Sequence, residues 1–212
     1  TESLLALDQA GPPFEPTDVD RITALYDENL AYADALFGVV VDAIEGRGFG
    51  DDTVIVLTSD HGDAFAEHGR LLHSTQLYDA MVHVPLVVRM PGQVGTVVDT
   101  PIQLADVGRG LRRVVRGDAP GILARLGEER DPAEPLYSWS NAKTGQIAAW
   151  EPDRRLVLDS RSREPVAYYD LASDPKSLDS RPLDDRGLVL RDAAREQVCL
   201  LYTSPSPRDI GE

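Results

Sequence analysis

Apolar residues recur every three or four positions from Ile22 through Leu25, Tyr26, Leu30, Ala33, Phe37, Val40, Val41 and Ile44. That spacing predicts an amphipathic helix. Thr17 and Asp18 are placed to cap its start, and Gly46 and Gly48 mark its end. The pattern then changes. Thr53-Val54-Ile55-Val56-Leu57-Thr58-Ser59 is a β-branched apolar run without alternation, which reads as a strand buried on both faces of a parallel sheet. Val84-Pro85-Leu86-Val87-Val88-Arg89 is a second such run, closed by a Pro91-Gly92 turn; Pro85 lacks an amide proton and so belongs at the first residues of a strand or on an edge. Between the two runs lies room for a polar loop and a short helix around Ser74 to Met81. Helix, strand, loop-helix and strand together predict a layered α/β sheet.

Beyond Gly92 the pattern loosens. Pro101 to Val115 can hold one helix, and Pro120, Pro132 and Pro135 space a region rich in turns. Leu136 to Trp139, Gln146 to Trp150, Arg155 to Asp159 and Val166 to Leu171 then read as short strands of a small antiparallel sheet. The expected division is a loop or linker over residues 1–16, a partial α/β domain over 17–129, an α+β subdomain over 130–198 and a tail over 199–212. That tail, from Cys199 through Leu200-Leu201-Tyr202-Thr203 to Asp209, resembles a translated sequencing adapter and is set aside from fold reasoning. Without it the chain has no cysteine, so no disulfide framework is available.

Composition narrows the function classes. The 212 residues carry 21 Lys plus Arg against 36 Asp plus Glu, a formal charge of -15. Such a surface repels phosphate backbones, which disfavours nucleic-acid binding. No stretch approaches the roughly 18 to 20 consecutive apolar residues of a membrane helix, and no signal segment is visible at the start.

The chemistry concentrates after the first strand. In open α/β sheets, ligands bind outside the carboxyl ends of strands, and Ser59-Asp60-His61-Gly62 falls there. Asp60 and His61 offer a divalent cation one hard oxygen and one borderline nitrogen, although an isolated Asp-His-Gly is more often a turn cap beside a surface histidine. His68 and His73 follow in the same loop, so three of the four histidines cluster there. Imidazole can donate to an anionic oxygen or shuttle a proton near neutral pH. The plain alternative is a set of exposed histidines with no shared task. His83, just before a strand, reads as structural.

Taken together, Asp51-Asp52-Thr53 through Ser59-Asp60-His61-Gly62, Glu67-His68-Gly69, His73, Leu77-Tyr78-Asp79 and Val84-Pro85-Leu86 with Pro91-Gly92 resemble the middle of a sulfatase of the alkaline-phosphatase-like superfamily. Tyr168-Tyr169-Asp170-Leu171 with Asp174-Pro175 is similar to the carboxyl-terminal signature of that family. The resemblance implies an alkaline-phosphatase-like layered sheet with helices, and a divalent ion, usually calcium, with Asp60 and His61 among its ligands. Zinc and manganese also suit the imidazole of His61. In many members a lysine contacts the sulfate, and His73 occupies a comparable position here. The family nucleophile is a formylglycine made in a Cys/Ser-x-Pro-x-Arg motif, and this sequence contains no such motif.

The expected function is therefore part of a metal-dependent sulfuric ester hydrolase acting on anionic sulfate or phosphate esters, without turnover alone. A phosphodiesterase or phosphonate monoester hydrolase of the same superfamily is the alternative within the class. A non-catalytic sulfatase-like binding protein is the alternative outside it.

Overall fold

A computed structural model describes residues 14–73, 76–117, 131, 133–140 and 145–203, the last six by their backbone only. The chain forms two compact units. The first comprises residues 1–74, 80–99 and 110–125, and the second comprises residues 75–79, 100–109 and 126–212.

The first unit opens with helix α1, Pro16–Gly46. It starts earlier than the expected cap: Thr17 and Asp18 lie inside its first turn, and Pro16 occupies one of the first two helical positions. A proline fits there because its missing N–H would have no partner and its fixed φ is already helical. The strand β1 (Ile55–Thr58) follows, then β2 (Ala64–Phe65), a 3-10 turn over Glu67–Gly69, β3 (Leu71–Leu72), a one-turn helix α2 (Asp79–Val82) and β4 (Leu86–Arg89). The short helix thus begins later than the expected Ser74, and residues 74–75 lie outside the described residues.

The expectation of a parallel strand buried on both faces is corrected. β1 pairs antiparallel with β4, with Ile55 opposite Arg89 and Leu57 opposite Val87. Its residues are half-buried to exposed. A parallel pair needs a crossover that carries the chain back along the sheet, usually a long helix. Here the connection is spent on a hairpin and one helical turn, so the chain re-enters from the opposite direction.

The loop expected after β1 also contains structure of its own. Ala64 pairs with Leu72 and Phe65 with Leu71. Leu71 and Ala64 are buried, and the Phe65 ring meets Tyr26 of α1 edge-on at 5.0 Å. This tight reversal holds Ala66, His68 and Leu72 at φ of 79°, 52° and 60°, the left-handed region that costs residues bearing a Cβ.

In the second unit the four expected strands are present as β5 (Leu136–Ser140), β6 (Gln146–Glu151), β7 (Arg154–Asp159) and β8 (Pro165–Asp170), an antiparallel meander in sequence order. Helix α3 spans Leu104–Arg116, its residues through Arg109 belonging to this unit. Helix α4 (Asp185–Thr203) covers the sheet: Leu190 and Ala194 pack with Ala149, Leu156, Leu158 and Tyr168 into the core. Asp184 sets the start of α4 by accepting from the Gly187 amide at 2.7 Å and from the Tyr168 hydroxyl at 2.7 Å. Both bonds favour the carboxylate and hold Asp184 below the usual carboxylate range.

Arg155 is the least expected core residue. Its guanidinium carbon lies 4.7 Å from the ring centres of Tyr78 and Trp150 and 4.8 Å from that of Tyr169. The side chain is 1% exposed, and Nε and Nη2 have no hydrogen-bond partner among the described residues. Burial pushes its pKa down, while Asp79 opposes that shift. The attraction of three π-faces for the cation replaces the missing acceptors in part. Burial pushes the Tyr169 phenol up, helped by its 3.3 Å contact with the Tyr78 hydroxyl.

Candidate functional site

The last residue of β1 delivers the chain into Ser59-Asp60-His61-Gly62, whose turn is tied by short contacts. Ser59 Oγ donates to the His61 carbonyl at 2.6 Å, and the His61 amide donates to Asp60 Oδ1 at 3.1 Å. Gly62 then passes directly against α2. Its amide donates to the Met81 carbonyl at 2.9 Å, and a Cβ at this position would stand 2.1 Å from the Ala80 carbonyl oxygen. Only glycine fits without moving backbone, which is the physical content of the third letter of Asp-His-Gly.

The geometry of His61 follows from this turn. Nδ1 lies 2.9 Å from the Gly62 carbonyl oxygen. A carbonyl only accepts, so in the neutral ring the proton sits on Nδ1 and Nε2 carries the lone pair. Nε2 stands 3.9 Å from Asp60 Oδ2. An imidazole oriented through its other nitrogen is the arrangement found in metal-ligating histidines. Asp60 is 89% exposed and His61 46% exposed at their side chains, so both face solvent.

Hairpin register brings the third expected residue to the same place. With Ala64 opposite Leu72, positions 63 and 73 come together at the open end of the hairpin. His73 Nδ1 lies 3.6 Å from Asp63 Oδ1, and the rings of His73 and His61 are 5.2 Å apart, tilted by 37°. Asp60, His61, Asp63 and His73 therefore form a chain of neighbours along one turn and one hairpin end. His68 lies in the 3-10 turn of the same hairpin.

Asp63 was not legible as a site residue. Its signal is weak in one dimension, a carboxylate two positions after His61, and becomes meaningful only once the register places it beside His73. Its Oδ1 is buried and makes no hydrogen bond among the described residues. Among those residues no group of three or more His, Cys, Asp or Glu side chains is arranged to hold a metal ion. Asp60 and His61 offer two ligand atoms and no closed shell.

Comparison with known proteins gives the family. The sulfatase family model matches residues 7–114, and the chain belongs to the sulfatase family. Among curated relatives, arylsulfatase K of Gallus gallus is 37% identical over 185 residues, which is 78% of this chain and 34% of that protein. The endo-4-O-sulfatase of Bacteroides thetaiotaomicron is 24% identical over 211 residues, 86% of this chain and 42% of that protein.

The fold is similar to that of the phosphonate monoester hydrolase of Agrobacterium radiobacter, with TM-score 0.67 and 23% identity, covering 91% of this chain and 43% of the other. A structure solved in complex with its substrate D-glucosamine-2-N,6-O-disulfate aligns with TM-score 0.64 and 18% identity, covering 86% and 41%. The chain thus spans less than half the length of these relatives.

Proposed function

We propose that this chain forms the part of a sulfuric ester hydrolase that holds one side of a divalent cation and meets the anionic ester. Asp60 and His61 are the cation ligands, and His73 is the residue that contacts the ester oxygens. The observation carrying this reading is the 3.9 Å gap between Asp60 Oδ2 and His61 Nε2, with Nδ1 already committed to the Gly62 carbonyl.

Asp60 would give calcium the oxygen ligand it prefers, while the imidazole of His61 would also suit zinc or manganese; the family resemblance favours calcium. When bound, the ion acts as a Lewis acid on an ester oxygen. The protein residues do the rest: Asp60 neutralises part of the charge, the Gly62 carbonyl fixes the His61 ring, and Asp63 faces His73 Nδ1, so that in the doubly protonated ring Nε2–H is the donor directed to the anion.

No Cys/Ser-x-Pro-x-Arg segment occurs in this sequence, so the formylglycine nucleophile must come from elsewhere in the complete enzyme. Attack on a sulfate ester needs both the nucleophile and cationic stabilisation. The 212-residue chain is therefore expected to bind Ca²⁺ weakly and to leave a chromogenic aryl sulfate intact. Calorimetric titration with Ca²⁺ tests the first statement: binding that survives both Asp60→Ala and His61→Ala would place the cation elsewhere. Robust aryl sulfate hydrolysis by the purified chain would overturn the second.

The fold likeness to a phosphonate monoester hydrolase supports a second reading, in which the ester is a phosphonate or phosphate. Parallel assays of aryl sulfate and aryl phosphonate with the complete enzyme separate the two.

A further inference from the structure

Helix α2 is a single turn of four residues, Asp79–Val82. Isolated helices shorter than about 12–15 residues are marginal in water, so what grips its ends decides where it lies. Burial of Leu77 and Met81 keeps the turn in the interior, but apolar burial has no direction. Toward its carboxyl end the Met81 carbonyl accepts from the Gly62 amide at 2.9 Å, and the Ala80 carbonyl oxygen would lie 2.1 Å from a Cβ on Gly62. The Asp60-His61-Gly62 turn therefore follows the position of those two carbonyls.

At the other end, Tyr78 is joined to α2 by one peptide bond, and its ring lies 4.7 Å from the guanidinium carbon of Arg155. Its hydroxyl is 3.3 Å from that of Tyr169. The sheet fixes the cation from both flanks: Trp150 stands opposite Arg155 on β6, Tyr169 stands opposite it on β8, and both rings lie within 4.8 Å of it. Tyr78 is the one ring of the three that comes from outside the sheet. A buried guanidinium whose Nε and Nη2 lack acceptors among the described residues is costly, and an apolar side chain of similar volume would fill the space at less cost. What an apolar side chain lacks is direction. A cation attracts a ring by its face, within about 6 Å of the centroid, and so fixes how Tyr78 is turned.

We propose that Arg155 is a positioning residue for the candidate site: by holding the face of Tyr78 it sets the start of α2, and α2 in turn holds Gly62 and the turn that carries Asp60 and His61. Arg155 itself meets neither cation nor ester. The coupling runs through the backbone from Tyr78 to Met81, and each other step is a contact already given. What the turn is used for rests on the cation reading proposed above; the clamp on the turn does not.

Amide hydrogen exchange, followed residue by residue by NMR in the metal-free 212-residue chain, tests it. The probe is the Gly62 N–H, and the control is the Ser160 N–H, bonded to the Gly145 carbonyl at 2.8 Å beyond the far end of β7. In Arg155→Met the Gly62 amide is expected to exchange at least tenfold faster than in the wild type with Ser160 unchanged, and Arg155→Lys, which restores a cation, should recover part of the protection. Tyr78→Leu should speed Gly62 by a similar factor, and the double variant by no more than either single one, since both remove the same link. A wild-type rate at Gly62 in Arg155→Met would overturn the proposal. So would a Gly62 amide unprotected in the wild type, equal acceleration of Gly62 and Ser160, or effects that multiply in the double variant. Should Arg155→Met fail to fold, Arg155→Lys and its double with Tyr78→Leu make the same comparison. Calorimetric titration with Ca²⁺ separates this from the cation reading. Affinity should fall in Arg155→Met along with Gly62 protection, and unchanged affinity in a loosened variant would remove the positioning role. A wild-type chain that binds no Ca²⁺ removes the cation reading and leaves the exchange result to decide the clamp.

Discussion

Gly62 shows how a single hydrogen atom can hold a site. A methyl group there would overlap the Ala80 carbonyl, and the Gly62 amide is already bonded to Met81. Gly62→Ala is expected to destabilise the chain by roughly 1–3 kcal/mol, the ordinary cost of forcing atoms into filled space. Urea unfolding measures that cost. Ca²⁺ binding should fall with it even in the folded fraction, because the same carbonyl that orients His61 belongs to residue 62. Arg155 offers a second case. Its cation sits among three rings with two nitrogens lacking acceptors. Arg155→Met keeps the stem volume and removes a buried charge, so it should change stability by less than about 1.5 kcal/mol. Arg155→Ala leaves a cavity between the rings and should cost several times more, which thermal melts of the pair will resolve.

Among the elements, the meander β5 to β8 under α4 holds a core of fully or nearly fully buried side chains. Leu156 is 0% exposed at its centre, and Leu156→Ala should cost about 2–5 kcal/mol in urea unfolding. Acid should weaken the same element. Hydrogen bonds from the Gly187 amide and the Tyr168 hydroxyl depress Asp184, the Asp179 and Leu178 amides depress Asp174, and the Ser162 amide and hydroxyl depress Asp159. A depressed carboxylate adds stability above its unfolded pKa, near 3.9, and that stability is lost as pH falls through the folded value. Melting temperature should therefore drop below about pH 4, and Asp184→Asn should drop less over that window than the wild type. These four strands were legible in the sequence because each is a short alternating or apolar run between turn residues. β1 was legible as a strand but not in its direction, since Ile55-Val56-Leu57 carries no sign of which neighbour it meets. The β2–β3 hairpin escaped notice because two-residue strands have no periodicity. With it went Asp63, whose meaning depends on the register that sets it beside His73. Asp60 and His61 stood out because a strand end, a carboxylate, an imidazole and a glycine were consecutive.

For the molecule as a whole, the charge of -15 sets a repulsion that dissolved salt relieves. The melting temperature should rise between low salt and 0.5 M NaCl, a trend opposite to that of a protein held by surface ion pairs; a flat or falling series would show that the acidic surface carries little strain. The left-handed backbone at Ala66, His68 and Leu72 acts on the same scale. Each such residue costs about 1 kcal/mol relative to glycine, a sizeable share of the net stability of a small domain. A screen of random variants for heat tolerance alone should therefore return glycine or asparagine at 66 and 72 before it improves the core. The molecule would grow hardier by relaxing the backbone of the hairpin that delivers His73. Endurance and chemistry draw on the same hairpin, so lineages adapting to hotter habitats are expected to add their robustness elsewhere.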